Sequence, residues 1–295
     1  MTEIYYDPYD FEIDADPHPV WRRMRDEAPL YRNDKYEFWA LSRYADVASG
    51  LTEWRTYSSA RGTLLELIRN DVQFPAGMMI FEDPPLHDAH RALMARLFTP
   101  RRIAQIEPLV RAYCARSLEP LVGGGSIDFI ADLGSQMPMR VIGMLLGIPE
   151  EDQEELRDAI DAGLSLEEGK SAPRSLQHEE GPVDQTARFV MRDVELHGTR
   201  VPEGSALLLL NGSANRDQRE FEDADRLDVT RPNVHHLSFG HGIHFCLGAS
   251  LARLEGCVAL EEILARWADW EIDHEAAEMA RTSTVRGWKK LPARI

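Results

Sequence analysis

Of the three cysteines in this 295-residue chain, one lies where its sulfur could do chemistry. Cys246 sits in the run Phe239-Gly240-His241-Gly242-Ile243-His244-Phe245-Cys246-Leu247-Gly248. A thiolate that serves as a metal ligand has to be aimed, shielded from oxidation and given donors that temper its charge. Gly240, Gly242 and Gly248 let the backbone turn sharply and lie against a flat ligand, and Phe239 offers an apolar wall beside the sulfur. From Leu247 an amphipathic helical pattern runs to about Ala268, which sets Cys246 at a helix N-terminus, where the dipole favours a thiolate. Two other uses of the segment stay open. His235, His236, His241 and His244 crowd it as zinc ligands would, although paired cysteines and a helical His-x-x-x-His are both missing. A structural glycine-rich turn before a helix is the other.

The pattern Phe-x-x-Gly-x-His-x-Cys-x-Gly resembles the haem signature of the cytochrome P-450 family in its bacterial soluble form. Asp83-Pro-Pro-Leu-His-Asp-Ala-His-Arg-Ala-Leu resembles the family segment whose histidine, and an arginine four residues later, bind the haem propionates. On a helix His87 and Arg91 project from one face at i and i+4. Thr186-Ala-Arg-Phe189 resembles the strand that supplies a further propionate arginine, Arg188, and His244 completes the set. Buried carboxylates without partners are costly, so two propionates need several such donors. The resemblance implies haem b (iron protoporphyrin IX) as cofactor and Cys246 as the metal ligand, with Phe239, Gly240 and Gly248 around it. It also implies a monooxygenase that inserts one oxygen atom into a small organic substrate, with electrons from a ferredoxin-like donor.

The resemblance also implies an internal deletion between about residues 165 and 181, flanked by matches at Leu145-Leu-Gly-Ile-Pro149 and Gly181 to Phe189. In the family a long distal helix there carries an acid-threonine pair that delivers protons to bound oxygen. Ala162-Gly-Leu-Ser-Leu166 begins like that motif, but serine and leucine replace the acid and threonine, and it falls in the wrong helix. Ser175 and His178 stand where a Glu-x-x-Arg pair belongs, which leaves Arg226 of the meander without its companions. The alternative to an active enzyme is a non-catalytic haem-binding remnant; an electron-transfer or scaffold protein is a third reading.

The elements that must position these residues follow from periodicity and turn chemistry. Six acids in the first sixteen residues read as an extended, loosely fixed arm. Helices are expected from Asp16 as N-cap, from Ser42, over Asp88 to Phe98, from Thr99 to about Leu121, over Asp128 to Leu146 and over Glu150 to Leu166. Tyr36 to Leu41, Arg188 to Leu196 and Ser205 to Leu210 read as strands, with a turn at His197-Gly198. The fold class is mainly α with small β-sheets (α+β), a truncated P-450-like fold in one domain over residues 1–295.

Composition narrows the partners. A net charge of −17 argues against nucleic acid, whose phosphates need a basic face. His87 to Ser117 nevertheless holds six arginines against two acids, so an acidic electron-donor protein such as a ferredoxin could dock over Arg91 to Arg116, or the arginines could form intrachain ion pairs. No apolar run reaches the length of a membrane span and no signal-peptide order opens the chain, which makes the cytoplasm the expected location. Cys114 and Cys257 read as buried, inert thiols. Substrate contacts are sought between about Ser58 and Ile80, where Leu64, Leu65, Ile68 and Phe74 are the apolar candidates.

Overall fold

The computed structural model describes residues 3–149, 185–232, 235–280 and 286–295. They fall into two compact units, one with residues 3–93 and those from 185 to 246, the other with residues 94–149 and those after 246.

The first unit is organised by Ala206–Leu209, four buried apolar residues in succession. Such a run must be covered on both faces. It forms β8, the centre of a five-stranded sheet in the order β1 (Leu30–Asn33), β2 (Phe38–Leu41), β8, β5 (Thr186–Val190), β3 (Tyr57–Ser58). β2 and β8 run parallel, with Phe38 level with Ala206 and Leu41 with Leu209; the other pairs are antiparallel. The two-residue period of β8 divides its side chains between two cores. Ala206 and Leu208 pack with Tyr6, Trp21, Met24 and Phe38, while Leu207 and Leu209 pack with Leu41, Val47, Leu51 and Val190. Burying a side chain of this size is worth roughly 1.5–3 kcal/mol, more than any surface ion pair of the unit.

Around the sheet lie α1 (Phe11–Ala15), α2 (His18–Glu27), α3 (Tyr44–Thr52), α4 (Leu65–Arg69) and α5 (Leu86–Ala95). The loose acidic arm is not what residues 3–16 form. Tyr6 is fully buried and donates its hydroxyl to Gln185 Oε1 at 2.9 Å, and Asp10 caps α1 by accepting from the amides of Glu12 and Ile13. Aromatic burial outweighs the acid count, because the acids cap and the tyrosines pack. Pro17, not Asp16, occupies the N-cap position of α2, and Asp16 accepts from the His18 amide at 3.3 Å instead. β6 (Val194–Leu196) and β7 (Thr199–Val201) pair across His197-Gly198, both with positive φ, as a two-residue hairpin turn requires.

In the second unit α6 (Pro100–Leu118) starts at Thr99, whose hydroxyl accepts from the Arg102 amide, and α7 (Met137–Leu146) stops at left-handed Gly147. They pack with α9 (Ala249–Arg266) around Val110, Cys114, Leu118, Val141 and Val258. The single helix expected over Asp128 to Leu146 is broken. Ser126–Asp128 is strand β4, paired with β12 (Pro292–Arg294), and one π turn over Ile130–Gly134 precedes α7. Asp128 Oδ1 accepts from the amides of Ile130, Ala131 and Leu291, a local arrangement that competes with helix. Cys114 is buried, its thiol pushed up to about 11 by that burial. Cys257 is exposed, contrary to expectation: α9 buries Leu251, Glu255 and Val258, and Cys257 lies to the other side. The helix expected over Glu150 to Leu166 lies outside the described residues. Among the described residues no helix is long and apolar enough to cross a membrane.

Candidate functional site

The loop that ends in Cys246 is tied by its own backbone. The amide of Gly240 donates to the Leu237 carbonyl at 2.9 Å, Phe245 to Gly242 at 3.1 Å, and Cys246 to Phe239 at 2.8 Å. Gly240 and Gly242 hold φ of +70° and +69°, and a Cβ on Gly242 would come within 2.9 Å of the Leu51 carbonyl at the end of α3. Gly248 is different: its φ of −86° suits any residue, and its place is the N-cap of α9. Cys246 therefore precedes the first helical residue by three positions and is exposed. Among the described residues no three His, Cys, Asp or Glu side chains converge as a metal-ligand group, so the histidines around the loop do not assemble a zinc site.

The four side chains expected to meet the propionates come from three segments of the first unit, near enough that His244 feels the charges of the other three. His87 on α5 is fully buried, and its ring lies edge-to-face on that of His244, centroids 4.6 Å apart. Arg91, one turn along α5, donates to the Phe245 carbonyl at 2.6 Å. Arg188 lies on β5 opposite Leu207, almost wholly buried. Its Nη1 donates to Thr186 Oγ1 at 3.0 Å and to the Ala187 carbonyl at 2.9 Å, and it makes no ion pair among the described residues.

The electrostatics are those of a site for anions. Burial pushes Arg188 down to about 10, with only Asp83 opposing through charge. Burial, followed by the charges of Arg188, His87 and Arg91, pushes His244 down to about 3. The Nε2 atoms of His87 and His244 are buried without a hydrogen-bond partner. An unpaired buried cation is costly, and an anion bound beside it, with the imidazole nitrogens donating where they carry the proton, would offset that cost.

Two acids just before α5 were not among the expected site residues. Asp83 accepts from the Ser58 hydroxyl at 2.5 Å and the Ser59 amide at 3.2 Å, fixing the start of α5 to β3. Glu82 is buried and accepts from the Gly77 amide at 2.7 Å, while its other oxygen meets His90 Nδ1 at 2.6 Å. The signal available in the sequence was the pair of successive acids ahead of Pro84-Pro85, with His90 one helical turn into α5.

The arginine-rich surface is smaller than its sequence. Arg111 is held by Glu107, Glu261 and Glu262, and Arg91 is committed to the Phe245 carbonyl. Arg96, Arg101 and Arg102 are exposed with no ion pair among the described residues. Of the apolar candidates for substrate contact, Leu65 and Ile68 belong to the core with Tyr6 and Trp21. Phe74 stacks on Phe81, centroids 3.8 Å apart, beside exposed Met78 and Ile80. Ser175, His178 and Ala162 to Leu166 lie outside the described residues. Arg226 is exposed and makes no ion pair among the described residues.

Residues 180–290 match the cytochrome P-450 family. Cytochrome P-450 123 of Mycobacterium tuberculosis is 31% identical over 391 residues, a match that takes in 99% of this chain and 97% of that relative. This chain belongs to the cytochrome P-450 family. Another P-450 relative, the vitamin D(3) 25-hydroxylase of Pseudonocardia autotrophica, is 28% identical over 374 residues, covering 94% of this chain and 93% of its own. The crystal structure of the P-450 enzyme CYP109B1 from Bacillus subtilis superposes with a TM-score of 0.82 at 21% identity, covering 98% of this chain and 100% of that one, which supports the fold. The mycobacterial match extends over 391 residues against the 295 of this P-450 chain, so many aligned positions of the relative have no counterpart here. The fold is that of a truncated P-450. The family is of haem-thiolate monooxygenases and binds haem b. The site fits that cofactor, since two carboxylates are what an unpaired Arg188 and two orphaned imidazole nitrogens lack.

Proposed function

We propose that Cys246 is the thiolate ligand of haem b, that His87, Arg91, Arg188 and His244 hold its propionates, and that Phe239, Gly240 and Gly248 flank the bound group. The observation that carries this reading is the buried cluster itself: Arg188 without a counter-ion and two Nε2 atoms without partners, in one unit with the Cys246 loop. Bound there, haem supplies one-electron and oxygen chemistry, with the thiolate pushing electron density onto the iron. The chain's own residues do the holding. Arg188 and Arg91 neutralise the carboxylates, the two imidazoles orient them, and positive φ at Gly240 and Gly242 lets the loop present the cysteine.

The substrate is a small organic molecule, and the Phe74 to Phe81 segment, with Met78 and Ile80 exposed, is its nearest apolar contact in sequence to the propionate histidine. The electron donor is an acidic, ferredoxin-like protein that meets Arg96, Arg101 and Arg102. The protein works in the cytoplasm, where free thiols such as Cys246 and Cys257 persist.

Turnover in this chain is poorly coupled. Productive oxygen cleavage needs a positioned proton donor on the distal side, and the deletion read from the sequence between about residues 165 and 181 falls where the family's acid-threonine pair belongs. The same gap favours a second reading, a haem-binding remnant without turnover. Product formed per electron supplied to the haem-loaded chain tests both. Electrons consumed with little hydroxylated product support poor coupling, no electron uptake supports the remnant, and near one-to-one product overturns both.

A further inference from the structure

Glu82 joins two parts of the first unit. Its Oε1 accepts from the Gly77 amide at 2.7 Å and its Oε2 meets His90 Nδ1 at 2.6 Å. The carboxylate is almost wholly buried, and although burial raises it, the bonds from His90 and Gly77 hold it below the usual carboxylate range. A buried carboxylate kept ionised by two specific donors is not a solvated surface acid. His90 lies on α5 between His87 and Arg91, so the turn of helix that carries both propionate candidates is pinned through it. Gly77 lies just before the short turn Met79–Phe81, which Met78 and Glu82 flank, and Met78 and Ile80 there are exposed. One residue thus ties the loop to the helix.

We propose that Glu82 is a positioning residue for the haem site: through Gly77 and His90 it locks the 77–82 loop to α5, so that the loop and the propionate donors His87 and Arg91 move together. The inference rests on the haem reading above. Without the carboxylate the loop is released and the His87–Arg91 turn loses its tether.

The test uses the haem-loaded protein and follows haem transfer to an excess of a haem-scavenging apoglobin. Glu82→Ala and His90→Ala should each lose haem about tenfold faster than wild type, the double variant no more than about twofold faster than either, because one interaction is removed in all three. Glu82→Gln, whose amide oxygen still accepts from Gly77 and whose amide nitrogen still reaches His90, should return the rate to within about threefold of wild type. Leu65→Ala, which opens the core of the same unit, controls for simple destabilisation: it should lower the melting temperature and leave the transfer rate unchanged. In the haem-free chain, amide hydrogen exchange over residues 76–81 should rise in Glu82→Ala and His90→Ala alone. Wild-type transfer rates in Glu82→Ala, no rescue by Glu82→Gln, or rates that follow melting temperature across the set including Leu65→Ala would each overturn the inference. Failure of the wild-type chain to show a thiolate-type haem spectrum overturns the haem reading instead, and is read before any variant is compared.

Discussion

His87 and His244, on α5 and in the loop before Cys246, bring their imidazoles edge-to-face with centroids 4.6 Å apart, and each keeps a buried Nε2 without a partner. Two such rings beside a buried arginine make an unfavourable arrangement in a chain with nothing bound and a favourable one around a dianion. The protein's stability and its affinity for the cofactor are therefore set against each other at the same residues.

Arg188 shows this most sharply. Arg188→Met removes an unpaired buried cation and should stabilise the haem-free protein by about 1–4 kcal/mol, raising its melting temperature. The same change should weaken haem retention, each lost charge-assisted bond costing roughly 1.5–3 kcal/mol. Arg91→Ala should weaken retention similarly with little effect on the haem-free fold, since Arg91 is only partly buried. Calorimetry of the haem-free protein and haem-transfer kinetics check both, and wild-type retention in the Arg91→Ala/Arg188→Ala double variant contradicts the assignment.

Glu255 on α9 gives a pH dependence. Burial pushes its carboxyl from an unfolded value of 4.5 up to about 7. Between those values the unfolded chain gives up the proton more readily than the folded one, so stability falls as pH rises from about 4.5 to about 7 and the penalty is constant above. Glu255→Gln should leave haem-free stability unchanged near pH 4 and raise it by about 1–3 kcal/mol at pH 8. Denaturant unfolding at the two pH values decides it, and an equal effect at both counts against a buried, neutral-preferring carboxyl.

The donor surface predicts a difference among arginines that sequence does not distinguish. Arg101→Glu combined with Arg102→Glu should slow association with an acidic ferredoxin by about tenfold or more at low salt, with the difference shrinking as salt rises. Arg111→Ala should change it little, because Glu107, Glu261 and Glu262 already neutralise that charge. Stopped-flow reduction at two ionic strengths measures both.

The candidate site was legible because its residues are marked by local chemistry. A cysteine among glycines, a His and an Arg at i and i+4, and an Arg in a strand can each be read within a few positions, and the fold stacks His87 on His244 and bonds Arg91 to the Phe245 carbonyl. What sequence could not show depended on long-range partners. The acids of residues 3–16 read as a solvated arm because nothing local reveals that Tyr6 is buried and bonded to Gln185. Cys257 reads as core because apolar residues surround it along α9, and only packing tells which side of the helix is covered. Asp128 reads as a helix start until Leu291, from the far end of the chain, is seen to donate to it. Arg111 reads equally as a docking cation or an ion-pair partner until α9 supplies two glutamates.

The central claim is that Cys246 is the thiolate ligand of haem in this chain. The absorption spectrum of the reduced, carbon monoxide-bound, haem-reconstituted protein tests it most directly, read in wild type and in Cys246→Ala, Cys114→Ala and Cys257→Ala. A thiolate-type Soret band should appear in wild type, persist without the buried Cys114 or the exposed Cys257 and disappear without Cys246. A thiolate-type band that survives in Cys246→Ala, or that is absent from the haem-loaded wild-type chain, contradicts it.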